Sequence, residues 1–196
     1  MSTGPFHVKG AKATLLVSLG MTMLGFWGAL GSAYQLTARP AASPVVGDDV
    51  SPEVAAELET LMTEIRATHL DEAAAVANLL ASSLLIIGSF LLSARRRTAL
   101  WWVRQALVAN VLYSLFATGI ELVRIQEFGE RFIRLALQTS EPLPPDISEG
   151  DVVSVMIWVV GALVIVRGLV LVAIYLGLLR VARRPDVLEF ITPKDA

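Results

Sequence analysis

The sequence predicts an all-α integral membrane protein with four transmembrane helices, of which the second and third continue outside the membrane as a helical hairpin. Three observations carry this prediction. Hydrophobic residues make up 55% of the chain and charged residues only 17%, against about 25% charged in soluble domains. Four apolar stretches each exceed the roughly 20 residues that cross a bilayer. Basic and acidic residues are segregated between the segments that connect these stretches.

The four predicted spans are residues 13–38, 73–94, 98–122 and 152–179. The first two contain no charge, the third has Arg104 and Glu121 near its ends, and the fourth has only Arg167, near its middle. The basic start of the first span also fits a cleaved signal peptide, but its apolar run is longer than the usual 7–15 or so residues. We therefore predict that this span is retained; a three-span mature chain is the alternative.

The connecting segments predict the orientation. Segments 1–12, 95–97 and 180–196, together with Arg104, hold ten basic and three acidic residues. Segments 39–72 and 123–151, together with Glu121, hold five basic and fifteen acidic residues. Because basic loops stay in the cytoplasm, we expect both tails and the 95–97 turn inside and the other two segments outside. Thirteen arginines against three lysines are typical of a GC-rich genome, so we expect the inner (plasma) membrane of a bacterium.

The two central helices are predicted to be longer than the membrane is thick. Ser51 can cap a helix that starts at Pro52, and no glycine or proline then follows before Gly88. The third span can continue to about Gln138, because the next prolines lie beyond it, and Gly129 is its weak point. The predicted outer third of this hairpin is some 20 residues, or about 30 Å, long.

A register test supports the hairpin. Antiparallel helices joined at 95–97 align residues whose numbers sum to about 193. An apolar stripe on the first helix then faces an apolar stripe on the second. The alternative is an interfacial helix over 54–70 lying flat on the membrane, which its many acidic residues oppose. The two stripes are Leu58, Leu61 and Ile65, and Leu135, Phe132 and Phe128.

Polar and small residues within the spans fall on single helix faces. Such residues let membrane helices approach closely and hydrogen-bond to each other, so we interpret these faces as packing surfaces; a hydrated cavity or ligand groove is the alternative. The polar faces are Asn78, Ser82, Ser89 and Ser93 in the second span and Asn110, Ser114, Thr118 and Glu121 in the third. The predicted packing positions are Gly25, Gly28 and Ser32 in the first span and Gly161 and Gly168 in the fourth.

Arg167 is the most unusual residue, because its helix-face neighbours within 160–174 are all apolar. A charge at the bilayer centre costs about 2.5–3.5 kcal/mol on insertion scales, and a guanidinium does not discharge because its pKa exceeds about 12. The sequence therefore predicts a partner. Three interpretations stay open: a structural contact to Asn110 or Glu121, pairing with an acidic helix of another protein, or binding of an anionic ligand, lipid headgroup or ion. Asn110 is the acceptor at the more similar depth, whereas Glu121 lies nearer the outer surface.

Other chemistry is sparse. The chain has no cysteine and only two histidines, which excludes a disulfide scaffold and a thiol nucleophile. It contains no phosphate-binding loop, hydrolase or zinc-protease motif. His69 is expected at the surface, and Glu72 and Glu121 come level near the outer interface, either solvated or paired with Arg124, or sharing a proton or cation. We predict no catalytic residue, cofactor or metal, and a protein that is not an enzyme.

The basic turn 95–97 invites comparison with nucleic-acid binding, but between two spans it is expected to set the topology and contact anionic lipid. The tail segment 187–191 is apolar and is expected to rest on the inner membrane surface or dock a partner. The first functional prediction is a non-enzymatic assembly or accessory protein that binds partner helices in the membrane or self-associates. Its acidic outer hairpin is expected to contact an extracytoplasmic partner, and no nucleic-acid partner is expected. The alternative is a small transporter or channel subunit with an anion or proton-coupled site around Arg167.

Overall fold

The computed structural model describes residues 5–37, 51–66, 70–96, 98–138, 144 and 148–191. Within these ranges the chain is helical and contains no strand, as predicted. Helices α1, α3, α4 and α5 are long and apolar enough to cross a membrane, so the prediction of four such helices is also confirmed. The helices are α1 (Pro5–Thr37), α2 (Pro52–Arg66), α3 (Leu70–Ser93), α4 (Ala99–Gln138), α5 (Glu149–Ala182) and α6 (Pro185–Ile191).

Local sequence signals explain where the helices start. Helix α2 starts at Pro52, as predicted, and the Val54 N–H donates to Ser51 Oγ at 3.4 Å. Helix α5 starts at Glu149, three residues before the predicted span. There the Asp151 N–H donates to Ser148 Oγ at 3.1 Å, and the Ser148 hydroxyl donates to the Asp151 carboxylate at 2.7 Å. This reciprocal pair satisfies a backbone donor that the first turn otherwise leaves without a partner.

Helix α4 runs unbroken to Gln138 through Gly129, as the sequence predicts. The predicted continuity of the outer helix with the second span depends on residues 67–69, which lie outside the described residues. His69 lies outside them as well. The described chain on either side of that gap is helical, as α2 and α3.

The chain divides into two compact units. Unit 1 comprises residues 1–37, 74–115 and 169–196. Its core combines apolar side chains from five helices, among them Val17 and Met21 of α1, Leu85 of α3, Leu107 of α4 and Val187 of α6, all fully buried. Such a core is held by close packing of side chains, whether lipid or water surrounds it.

Helix α6 belongs to that core. Val187 and Ile191 are buried, and a Cβ atom added at Gly10 of α1 would meet the backbone of Asp186 and lie 3.0 Å from the Phe190 Cβ. Only a glycine lets the two helices approach this closely. The expectation that segment 187–191 contacts the membrane or a partner is therefore wrong for its apolar face, which packs on the chain itself.

The α3–α4 turn has an unusual residue at its corner. Arg95 has a φ of 51°, the left-handed conformation that usually selects glycine. The Arg96 N–H donates to the Leu91 carbonyl and the Arg95 N–H to the Leu92 carbonyl, both at 3.1 Å. This is the pattern of a Schellman helix end, with arginine at the position where glycine is common.

Unit 2 comprises residues 38–73 and 116–168. Its buried apolar side chains are fewer: Leu61 of α2, Ile133 and Leu135 of α4, and Val153 of α5. The predicted stripe is therefore correct for Leu61 and Leu135, whereas Phe132 keeps 43% of its surface exposed. Ile133, the next residue around the helix, is buried instead.

Candidate functional site

The mid-helix arginine of α5 forms an ion pair within unit 2. Arg167 Nη2 donates to both carboxylate oxygens of Glu121 on α4, at 2.5 and 2.6 Å. Of the two acceptors proposed from the sequence, the structure therefore places Glu121 against this guanidinium. The pair carries no net charge, which lowers the cost that either ion alone would incur in hydrocarbon.

The ion pair leaves much of the guanidinium uncovered. The Arg167 side chain keeps 59% of its surface exposed and that of Glu121 keeps 34%. Arginine has five N–H donors, and within the described chain only Nη2 of Arg167 has a hydrogen-bond partner. The Nε and Nη1 groups have no hydrogen-bond partner among the described residues.

The surrounding surface of α5 is also uncovered. Of the most apolar 18-residue stretch of α5, only 6% is buried, which is the lowest share among the four candidate spans. Gly168 packs tightly, because a Cβ there would collide with the hydroxyl of Thr118. Gly161 has nothing within 4 Å of its Cβ position. Of the two predicted packing glycines of this helix, one is therefore packed within unit 2 and the other lies in open space.

In unit 1, helices α1 and α3 cross where the sequence has its small residues. A Cβ at Gly25 would lie 2.8 Å from the Ser82 carbonyl oxygen, and one at Gly28 would collide with the Ser82 hydroxyl. The Asn78 side chain donates to the Gly28 carbonyl at 3.3 Å, and the fully buried Ser32 donates to the same carbonyl at 2.9 Å. At these residues the backbone of α1 lies close against α3.

Polar side chains of α4 in unit 1 are also hydrogen-bonded to their own chain. Asn110 of α4 is 1% exposed, and its Nδ2 donates to the carbonyls of Ala81 and Ala106, both at 2.8 Å. Ser114 donates to the Asn110 carbonyl at 2.8 Å. Buried polar groups bonded in this way hold two helices together, which favours a packing surface over a hydrated one.

Ion pairs link the helices of unit 2. Arg131 of α4 contacts Glu64 of α2 at 2.7 Å, and Arg124 of α4 contacts Asp71 of α3 at 2.5 Å. Both pairs lie within two residues of the register in which paired numbers sum to about 193. Arg124 was expected beside Glu72 and Glu121; the structure gives it the neighbouring Asp71.

A third pairing in unit 2 connects α4 with the start of α5. Arg134 contacts Glu130 at 2.8 Å and Glu149 at 3.1 Å. The hydrogen bond that Arg134 donates to the Glu130 carboxylate is the main cause of a raised pKa for Arg134.

A cavity of about 400 Å³ also lies in unit 2. Its wall is almost entirely apolar, and the exposed Phe132 is part of it. Arg124 reaches the wall, and its Nη2 is buried without a hydrogen-bond partner in the described chain. No group of three potential metal ligands occurs among the described residues.

Sequence reasoning missed one further cluster, at the basic end of unit 1. A groove of about 490 Å³ is lined by hydroxyls of α1, by Arg95 and by Phe190 of α6. No signal in the sequence brings Phe190 to this place, because the packing of α6 on α1 depends on long-range contacts.

Comparison of the chain with protein families, curated proteins and solved structures gives no match.

Proposed function

We propose that this chain is a non-enzymatic, multi-pass membrane protein that assembles with other membrane helices through the exposed face of α5 around Arg167. The observation that carries the proposal is the half-covered ion pair. Arg167 is neutralised by Glu121, but it retains unpartnered donors on the most apolar and least buried span. In hydrocarbon such donors need acceptors, and a polar or acidic helix supplies them.

Exposed apolar side chains flank Arg167 on the same face. Leu163 and Val170, one helical turn before and after it, are more than half exposed. Gly161 is also open, since its Cβ position is empty to 4 Å, but it lies roughly 120° around the helix from Arg167. The face around Arg167 thus combines exposed apolar side chains with donors that have no partner in the described chain.

The proposed location is the inner (plasma) membrane of a bacterium, with both termini in the cytoplasm. The support is the charge asymmetry, because basic residues concentrate in segments 1–12, 95–97 and 180–196. The acidic α2 and the outer part of α4 then form the hairpin outside. Their exposed ion pairs are suited to water, where an extracytoplasmic partner would meet them.

The absence of cysteine from the sequence makes the orientation directly testable. Single cysteines replace the exposed Thr60 of α2 and Glu189 of α6 in otherwise unchanged chains. An impermeant maleimide added to spheroplasts is expected to label Thr60→Cys and to spare Glu189→Cys until the membrane is opened. The reverse pattern contradicts the orientation, and labelling of neither position until detergent is added contradicts an outer hairpin.

The partner contact is tested by exchanging the charges. Arg167→Gln is expected to dissociate a complex isolated in mild detergent, measured by size-exclusion chromatography with light scattering. The swap Arg167→Glu with Glu121→Arg restores the internal pair but reverses its polarity toward the partner. We expect the swap to remain dissociated; restoration of the complex by the swap would mean that Arg167 only fastens α5 to α4.

Two controls accompany the swap. Arg104→Gln removes an exposed charge from another span and is expected to leave the complex intact. Two differently tagged copies expressed together distinguish self-association from a complex with another protein. A wild-type chain that is monomeric in several mild detergents and in nanodiscs would contradict the assembly proposal.

The transporter alternative requires a wet interior. Ser82, Asn110 and Ser114 are buried and hydrogen-bonded within the chain, which favours the assembly proposal over transport. Single cysteines at Ser114 and Thr118 test this point. Unreactive thiols in the folded protein support packing, and rapid labelling by a water-soluble reagent favours transport.

A further inference from the structure

A groove at the basic end of unit 1 has the features of a lipid site. It measures about 490 Å³ and lies between α1, the end of α3 and α6. Hydroxyl side chains line one part of it, and apolar side chains with Arg95 line the rest. The lining includes Thr14, Leu15, Ser18, Leu19, Arg95 and Phe190.

One wall of the groove carries an unsatisfied hydroxyl. Thr14 is only 4% exposed, and its Oγ1 has no hydrogen-bond partner in the described chain. Threonines in helices ordinarily donate to the carbonyl four residues earlier, as Thr22 and Thr37 of the same helix do at 2.9 and 2.6 Å. A buried hydroxyl left unpaired is costly, so Thr14 indicates an acceptor that the chain does not supply.

Arg95 supplies a cation at the same groove. Its guanidinium lies 4.0 Å over the Phe190 ring, and within the described chain it contacts no carboxylate. The left-handed backbone at this residue is a conformation in which glycine would be less strained. The helix end alone therefore does not explain an arginine here, whereas recruitment of an anion to the groove does.

The groove also has an apolar side that is open to the surroundings. Leu15 and Leu19 line it, and they keep 68% and 56% of their surface exposed. Ser18 is already bonded to α3, through the Ser89 carbonyl and the Ser93 hydroxyl. A molecule bound in the groove would thus contact a hydrogen-bonded serine, the Arg95 guanidinium and two exposed leucine side chains.

We propose that this groove binds a membrane phospholipid with an anionic headgroup, its phosphate at Arg95 and Thr14 and an acyl chain along Leu15 and Leu19. The inference rests on the membrane-spanning part of the proposed function and not on the partner contact at Arg167. Charge complementarity selects the anionic headgroup, because unit 1 carries ten basic and three acidic residues. The leucines select a lipid over a soluble phosphate.

The test is native mass spectrometry of the full chain released from nanodiscs that contain equal amounts of phosphatidylglycerol and phosphatidylcholine. The wild type is expected to retain one phosphatidylglycerol in preference to phosphatidylcholine. Arg95→Gln is expected to reduce that preference about tenfold or more, since a hydrogen bond to a charged group is lost. Arg95→Lys, which keeps the charge, is expected to retain most of it.

A matched control separates a site from general surface attraction. Arg96 is the next residue of the same turn, is exposed and does not line the groove. Arg96→Gln is expected to change lipid retention by less than about twofold. Equal losses in Arg95→Gln and Arg96→Gln would overturn the proposal, as would equal retention of both lipids by the wild type.

Thr14→Val provides a second variant that does not change charge. It is expected to weaken phosphatidylglycerol retention while leaving the helix content by circular dichroism unchanged, and Thr37→Val is its control. Unaltered retention in Thr14→Val would overturn the role of that hydroxyl in the site. Soluble glycerol phosphate in excess is expected not to displace the lipid; displacement would identify a phosphate site instead.

These outcomes are distinguishable from failure of the partner proposal. Arg95→Gln is expected to leave the mass of the assembly in mild detergent unchanged, whereas Arg167→Gln changes it and leaves lipid retention intact. Extraction of the wild type by carbonate would refute membrane insertion itself, and both proposals with it.

Discussion

The two units of this chain are built from shared helices but stabilised in different ways. Unit 1 buries apolar side chains from five helices and bonds several hydroxyl and amide side chains to backbone carbonyls. Unit 2 buries few side chains and links its helices by ion pairs at exposed positions. The net formal charge is +7 for unit 1 and −9 for unit 2, from ten basic and three acidic residues against six and fifteen. One chain thus combines an apolar core in one unit with ion pairs between helices in the other.

The ion pair between Arg167 and Glu121 differs in its surroundings from the other ion pairs of unit 2. The two residues form an ion pair like those of unit 2, but it lies on the most apolar span. The other pairs of the unit lie on segments rich in acidic residues, where water can solvate their remaining donors. The pair on α5 differs because its uncovered donors lie on an exposed, apolar helix.

The largest expected effect is loss of a core side chain from unit 1. Leu85→Ala removes a fully buried side chain and is expected to destabilise the protein by about 2–5 kcal/mol, because it leaves a cavity. Unfolding in mild detergent titrated with a denaturing detergent measures the change. Leu15→Ala, at an exposed position of the same unit, is the control, and equal losses for both variants would mean that unit 1 has no specific core.

The next largest effect is expected at the α1–α3 crossing. Gly28→Leu places a side chain where the Ser82 hydroxyl lies and is expected to cost about 1–3 kcal/mol through overpacking. Gly161→Leu adds the same side chain in open space and is expected to leave stability unchanged. A destabilised Gly161→Leu monomer would show that α5 is covered by its own chain.

A smaller effect of opposite sign is expected at the α3–α4 turn. Arg95→Gly relieves the left-handed conformation and is expected to stabilise the isolated protein by about 1 kcal/mol, measured by the same titration. The same variant is expected to lose its preference for phosphatidylglycerol. Loss of stability in lipid-free detergent would mean that the contact with Phe190 outweighs the strain.

The smallest effect is expected at the ion pairs of unit 2. Glu64→Gln breaks the contact to Arg131, whose partners are each 46% exposed, and is expected to cost less than about 1 kcal/mol. The difference from the wild type is expected to disappear at high salt, because screening already weakens the pair. A larger loss that persists at high salt would place this pair in hydrocarbon and refute the outer hairpin.

Features determined by short connections could be predicted from the sequence, and those determined by long ones could not. The tight turn at 95–97 fixes the α3–α4 register, so Leu61 and Leu135 and the pairs of Arg124 and Arg131 fall close to where counting places them. The α4–α5 connection is longer. Counting therefore predicted the depth of Arg167 poorly and favoured Asn110, while Glu121 is the residue it contacts.

The backbone conformation and the burial of single residues also could not be predicted from the sequence. Glycine is the usual signal for a left-handed helix end, so an arginine at position 95 gave no indication of one. Phe132 and Ile133 differ by about 100° around the helix, and a pattern of apolar residues does not decide which of them is buried.

The most direct test of the account is photocrosslinking from the exposed face of α5 in native membranes. A photoreactive amino acid replaces Leu163, which is 64% exposed one helical turn before Arg167, and a second chain carries it at the buried Leu178 as control. We expect a discrete protein adduct from position 163 that disappears in the Arg167→Gln background, and none from position 178. Adducts to lipid alone from position 163 would contradict the claim that this face binds a partner helix.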